Sequence, residues 1–299
     1  MESLKKGDLI AIAATARKVS KAEMEPAIAI FKSWGLEVCF SDNLFEEENQ
    51  FAGSDQARRE SFQKLLDNPT IKAIFIARGG YGTVRMIDGL DLDIFLENPK
   101  WIIGYSDITA LHLHLHKKIA YRSLHGPMPI NFLPEKIHAE SVEVLRKTLF
   151  EKPQEIKWQK HPLNVHEENT SGILIGGNLS VLYSLMGSAS EPSYDNKILF
   201  LEDLDEYLYH IDRMMQGLKR AGKLENLAAI VVGDMSDMKD NTIPFGKSAY
   251  EIIADTVKHY DYPVIFGAPA GHEPKNLSLL FGSRYILSCS QEILLKPDL

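Results

Sequence analysis

Cysteine is almost absent from this chain: two residues in 299, Cys39 in LEVCF and Cys289 in ILSCS. So few exclude a disulfide framework, and neither belongs to a C-x-x-C motif. Both lie in apolar, strand-like sequence and read as buried thiols. Long apolar runs are missing too. No stretch approaches the roughly 20 apolar residues of a membrane helix. The N-terminal MESLKKGDLIAIAATARKVS is basic and then briefly apolar, too interrupted for a signal peptide. It reads as a first strand, DLIAIAA, so the expectation is a cytoplasmic protein with no membrane partner. Basic clusters are lacking as well, and the net charge of −8 argues against nucleic acid as a partner. The acidic FEEENQ (45–50) reads as a solvated loop.

Several catalytic signatures are also missing. ARGGYGTVR (77–85) follows an apolar run, but Arg85 occupies the last glycine position of a G-x-G-x-x-G fingerprint, and no Walker Lys-Ser/Thr pair occurs. The histidines of TALHLHLHKK invite a metal reading. On a helix, however, His112 and His116 share a face while His114 points away, and the glutamate of H-E-x-x-H is absent. Among Leu111, Leu113 and Leu115 they read as core or half-buried residues. Gly104-Tyr105-Ser106-Asp107-Ile108 lacks the second glycine of the G-x-S-x-G elbow.

What is present is ordinary globular composition, 44% hydrophobic and 25% charged, long enough for one large or two ordinary domains. The first half alternates strand and helix. DLIAIAA precedes a helix around KAEMEPAIAIFKSWG, LEVCFS reads as a strand, and SDQARRESFQKLLDN as a helix. IKAIFIA and WIIGYS are nearly continuous apolar runs, as in strands covered on both faces of a parallel sheet. Ligands of such sheets gather at the carboxyl ends of the strands. Residues 151–170 turn polar and lose periodicity, which reads as a linker between an N-terminal α/β domain (1–150) and a C-terminal β/α domain (171–299). The latter has strand-like GILIGG, KILFLED, AAIVVGDM, PVIFGAP and RYILSCS, and helix-like HIDRMMQGLKRAG and SAYEIIADTVKHY.

Three groups fall just past strands. Ser106 follows WIIGY at the start of a helix, where free N–H groups can hold an oxyanion. Taken alone, a helix-capping role for Ser106 or Asp107 is the simpler reading. His272 lies on the loop GAPAGHEPKNLSL, and Glu202 and Asp203 end KILFLED. A carboxylate there could orient the imidazole of a base. The glycine pairs Gly79-Gly80 and Gly176-Gly177 are compatible with tight turns or close ligand approach.

The stretches ARGGYG, IIGYSDITALH, HGPM, GILIGGNLSVL, LFLEDLDEYLYHIDRMMQGL and GAPAGHEPKNLSLLFG together resemble the LD-carboxypeptidase family of serine peptidases, in that family's order over about residues 70 to 285. The resemblance implies an N-terminal flavodoxin-like parallel-sheet domain joined to a mixed β/α domain, with the site in the cleft and the chain often a homodimer. It implies a triad of Ser106 as nucleophile, Glu202 as acid (Glu206 as fallback) and His272 as acid/base, without metal or cofactor. The backbone N–H of Asp107 and of Gly80, in the Gly79-Gly80 turn, would form the oxyanion hole. Family substrates are peptides with an L-to-D bond, such as that before the terminal D-alanine of murein tetrapeptides; Arg78, beside Gly79, is a candidate for binding the substrate carboxylate. The immunity-type branch, which cleaves peptidyl or acyl nucleotide analogues, is the alternative, and a non-catalytic two-lobe binding module is the rival from another class. The family's Pro-Ser-Ser-like turn is replaced here by AATARKVS, with Thr15 the nearest hydroxyl.

Overall fold

The computed structural model describes residues 1–133, 135–166, 168–290 and 292–298. Strands β1 (Leu9–Ala13), β2 (Glu37–Phe40), β3 (Ile71–Ile76), β4 (Trp101–Gly104) and β5 (Ser123–His125) are parallel in the spatial order β2-β1-β3-β4-β5. That is the flavodoxin-like winding, whose order reverses between β1 and β3. Helices α1 (Lys21–Ser33), α2 (Asp55–Asp67), α3 (Asp93–Glu97) and α4 (Thr109–Ile119) make the crossovers. α1 begins with a capping box, in which Ser20 accepts from Glu23 N and the Glu23 carboxylate accepts from Ser20 N. Every residue of β4, and every residue of β3 except Lys72, is buried, as expected of strands covered on both faces. Cys39 departs from its expectation: on the edge strand β2 it is only half-buried, whereas Cys289 is buried.

After α5 (Ala139–Phe150) the chain builds a second sheet from β6 (Ile156–Gln159), β7 (Thr170–Asn178), β8 (Lys197–Leu204), β9 (Ala229–Ser236) and β10 (Val264–Phe266). α6 (Leu179–Ser184), α7 (Leu208–Arg220) and α8 (Ala249–Val257) connect its parallel members. β11 (Leu279–Phe281) follows, then β12 (Arg284–Cys289) and β13 (Glu292–Pro297). The second sheet runs β10-β9-β8-β7-β12-β13-β6, parallel from β10 to β7 and antiparallel beyond. Two features depart from simple boundaries at 150 and 170. The segment read as a linker contributes β6, the outer strand of the second sheet, and its residue 167 lies outside the described residues. β11 leaves its own half and pairs antiparallel with β5, covering the open edge of the first sheet.

α4 stands between the two halves. Thr109 to Leu115 are all buried, and the helix contacts both α6 and β7. A helix enclosed on every side must be apolar all round, which explains TALHLHL. Two of its histidines make local hydrogen bonds. His112 Nε2 lies 2.9 Å from Gly104 O and its Nδ1 2.7 Å from Ser123 Oγ, so it ties the end of β4 to the start of β5. Burial pushes its pKa down to about 4, which keeps the ring neutral. His114 Nδ1 lies 2.8 Å from Ser190 Oγ.

The joint between the halves depends on Gly177, at φ +133°, in β7. A Cβ there would run into the Thr109 hydroxyl, which accepts a hydrogen bond from Asn178 N at 2.9 Å. Gly177→Ala should therefore lower the thermal midpoint by roughly 5 °C or more, a cost of about 2–3 kcal/mol from strain and overpacking. A melt within 1 °C of the unmodified chain would contradict this.

Candidate active site

The carboxyl ends of β1, β3 and β4 converge at the point where the strand order reverses. Ser106 begins a turn of 3-10 helix (Ser106–Ile108) directly after β4 and is the only residue of that turn that is not fully buried. Its backbone is left-handed, at φ +64°. A non-glycine residue held there costs about 1–2 kcal/mol and persists only where its surroundings over-determine it. A sharp strand-to-helix turn of this kind projects a hydroxyl above the sheet while the following N–H groups face the same way. The helix-cap reading fails in its simple form: no side chain caps this turn or α4.

The loop after β3 lies against this turn. A Cβ on Gly79 would sit 3.4 Å from Ser106 Oγ and 3.3 Å from Asp107 N, so only a hydrogen lets the loop come this close without displacing them. Gly80, at φ +104°, is exposed, and the Arg17 side chain covers it, with Cδ and Nε 2.6 Å from where a Cβ would be. Arg78 has an acidic partner instead, its Nη1 3.9 Å from Glu23 Oε1 at the start of α1. Arg17 forms no ion pair with the other described residues. Nothing in the residue pattern of AATARKVS marks Arg17; only the fold of this stretch over the glycine turn does.

The second sheet supplies the other half. Glu202 is fully buried near the end of β8, in register with Asn178 of β7. Its Oε2 lies 2.6 Å from His272 Nδ1. A carboxylate can only accept, so Nδ1 carries the hydrogen and Nε2 is left with a free lone pair. Burial opposes charge on His272, but the Glu202 carboxylate, by charge and by hydrogen bond, more than reverses this and raises the imidazole pKa. The ring of Tyr105, the residue before Ser106, lies 4.9 Å from the His272 ring and so brings the His272 loop against the Ser106 turn. Glu206 is engaged elsewhere, its Oε2 at 2.5 Å from His210 Nδ1. Asp203 is spent on structure: it accepts from Asn178 Nδ2 and Ser180 N, and burial pushes its pKa up to about 7. His125, from HGPM, is wholly buried among Tyr105, Phe200 and Phe281.

Beside the His272 loop a cavity of about 470 Å³ opens between Leu208, Met235, Met238 and Tyr250, with Asp234 and Glu273 on its wall. Burial pushes Asp234 up to about 7. A cavity of about 520 Å³ also lies at the amino ends of β3 and β4, opposite to Ser106. Among the described residues no three His, Cys, Asp or Glu side chains group as metal ligands would, and no helix is long and apolar enough to cross a membrane.

Residues 9–126 match the LD-carboxypeptidase N-terminal domain, and residues 171–287 match the LD-carboxypeptidase C-terminal domain. This chain belongs to the LD-carboxypeptidase family. The family is one of peptidases, and this member is 30% identical to the probable murein peptide carboxypeptidase of Bacillus subtilis over 97% of its own length and 92% of the relative's. It is 29% identical to the microcin C7 self-immunity protein of Escherichia coli, over 77% of the chain and 75% of that protein. Among solved structures, muramoyltetrapeptide carboxypeptidase from Oxalobacter formigenes superposes with a TM-score of 0.87 at 29% identity, covering 96% of this chain and 99% of that chain.

Proposed function

We propose that this LD-carboxypeptidase family member is a serine peptidase that hydrolyses an L-to-D peptide bond and releases the terminal D-alanine of murein tetrapeptides. Ser106 is the nucleophile, His272 the acid/base and Glu202 its orienting acid. The observation that carries the reading is the hydrogen bond from His272 to the fully buried Glu202, with the adjoining Tyr105 ring leading to the strained Ser106 turn. The names of the Bacillus and Oxalobacter relatives support the substrate class.

In the reaction His272 Nε2 takes the Ser106 hydroxyl proton as Oγ bonds to the scissile carbonyl carbon. The carbonyl oxygen gains negative charge and is held by the N–H groups of Asp107 and Gly80. The carbon–nitrogen bond then breaks, and the leaving amine of D-alanine receives the proton from Nε2. Water attacks the acyl-enzyme with its proton passing to Nε2, and the proton returns to Oγ as the peptide acid leaves. Glu202 stabilises the imidazolium in both steps.

A carboxypeptidase must also hold a free carboxylate. Arg17 is better suited than Arg78, because it lies over the glycine turn beside Ser106 without an ion pair to another described residue. Arg17→Ala should raise KM for the tetrapeptide by about tenfold or more with kcat little changed, the loss of one charge-assisted hydrogen bond to the substrate. An unchanged KM would remove Arg17 from this role.

The test is incubation of the purified protein with a murein tetrapeptide, following D-alanine. Release of D-alanine by the unmodified chain and not by Ser106→Ala supports the proposal. A protein that releases none and resists serine-reactive probes overturns it. A second reading, an immunity-type peptidase or amidase acting on a peptidyl or acyl nucleotide analogue, rests on the likeness to the microcin C7 self-immunity protein. Labelling at Ser106 with indifference to the murein peptide would favour it.

A further inference from the structure

Asp107 carries a carboxylate that the proposed chemistry does not use. Only 2% of the residue is exposed, yet the side chain is not spent on capping its own helix. Its Oδ2 instead accepts from Thr83 N at 3.0 Å, across to the far end of the glycine loop that follows β3. The Thr83 side chain and the Gly82 backbone also favour the ionised form of this carboxylate, and they offset part of the rise in its pKa that burial causes. One buried group therefore joins the two segments that carry the two oxyanion N–H groups assigned above.

The clamp has its own support. Thr15 and Thr83 are both fully buried, and their hydroxyls are 2.8 Å apart. Thr83 is thus held through its hydroxyl by Thr15 while its backbone N–H donates to the Asp107 carboxylate. Hydrogen bonds in a dry interior are stronger than in water, so the buried pair fixes Thr83 in place. The Thr15 backbone is held in turn by Arg58, a fully buried side chain whose Nε donates to Thr15 O at 3.1 Å and whose Nη1 donates to Gly53 O at 2.6 Å. Arg58 also supplies positive charge that favours the ionised form of Asp107. The chain Arg58–Thr15–Thr83–Asp107 thus runs from α2, through the loops after β1 and β3, to the turn after β4.

Resting on the reading of Ser106 as nucleophile, we propose that Asp107 is a positioning residue. Its carboxylate clamps the Gly82–Thr83 end of the glycine loop to the Ser106 turn, and the Thr15–Thr83 hydroxyl pair holds the clamp. The clamp maintains the left-handed backbone of Ser106 and the spacing of the oxyanion donors at Asp107 N and Gly80 N. Thr15 then has a role that needs no contact with substrate, in agreement with its complete burial.

The test measures the second-order rate at which a fluorophosphonate labels Ser106, read by intact mass, in the unmodified chain and in Asp107→Asn, Thr15→Val and Thr15→Ser. The probe's phosphoryl oxygen occupies the oxyanion position, so the readout does not depend on knowing the peptide. Asp107→Asn should label more slowly by about tenfold or more, approaching the 10²–10³-fold range for outright loss of one oxyanion donor. Thr15→Val, which keeps shape and loses only the hydroxyl, should slow labelling severalfold at a thermal midpoint close to that of the unmodified chain, and Thr15→Ser should restore the rate. If Asp107→Asn does not fold, the Thr15 pair decides. Folded variants that label at the unmodified rate, or that lose thermal stability without slowing, overturn the clamp alone. An unmodified chain that is never labelled overturns the reading of Ser106, and the clamp with it.

Discussion

Ser106→Ala should keep its fold and lose peptide hydrolysis by about 10⁴-fold or more. The substitution removes one oxygen from a half-buried position and also relieves nothing essential in the core, so the melt should move little. Under the proposed mechanism the rate effect is large because the proton acceptor, its orienting acid and the oxyanion donors have no bond to make once Oγ is absent. In serine hydrolases the members of such a set act as a unit, so removing one costs nearly as much as removing all. Residual turnover above the uncatalysed rate would come from the oxyanion donors and from binding alone. A variant that retains more than about a tenth of the activity would mean that the attacking group lies elsewhere.

Glu202→Gln should lower kcat by about 10³–10⁴-fold and shift the pH profile as well. Glu202 is fully buried, and its charge and hydrogen bond raise the His272 pKa above the usual 6.5 despite burial of the ring. The proposed reaction needs the neutral imidazole, so activity of the unmodified chain should rise with pH through a midpoint above 6.5. With glutamine the imidazolium loses its counter-charge while burial remains, so the midpoint should move to lower pH as the plateau falls. The amide can also donate to Nδ1, which puts the hydrogen on Nε2 and blocks its role as base. The same coupling bears on stability: a raised histidine pKa contributes stability below the unfolded value that is lost as pH rises through the folded value. A pH–rate profile of both proteins checks the sign. A midpoint that stays in place or moves upward in Glu202→Gln would break the link between the two residues.

Much of the first half is readable from residue pattern because burial on both faces leaves its mark. IKAIFI and WIIG could hardly be anything but inner strands, and Ser106 at the end of the second follows from them. The alternation of strands and helices also points to ligands at the carboxyl ends, where Ser106, Gly79 and Arg17 gather. What escapes is set by pairing across the chain. LLF of β11 is too short to declare that it will join β5 rather than its sequence neighbours. IKWQ of β6 alternates buried and exposed residues, but four residues amid polar sequence give little periodicity to detect. Cys39 resembles a core thiol until β2 takes the outer position of its sheet.

The site follows the same division. His272 and Glu202 each stand out as polar groups just past apolar strands, yet the choice between Glu202 and Glu206 needs the 2.6 Å contact to His272 and the diversion of Glu206 to His210. The three histidines of α4 are conspicuous in sequence and prove to be packing residues, because the helix is enclosed by both halves. Thr15 and Arg17 carry no motif; their significance lies in which loop folds over them.

The account is tested most directly by mapping fluorophosphonate adducts by peptide mass spectrometry, with and without a murein tetrapeptide present. It predicts one adduct, on Ser106, whose formation slows in proportion to the tetrapeptide added. An adduct on any other residue, or a Ser106 adduct absent from a protein that still releases D-alanine, would contradict it.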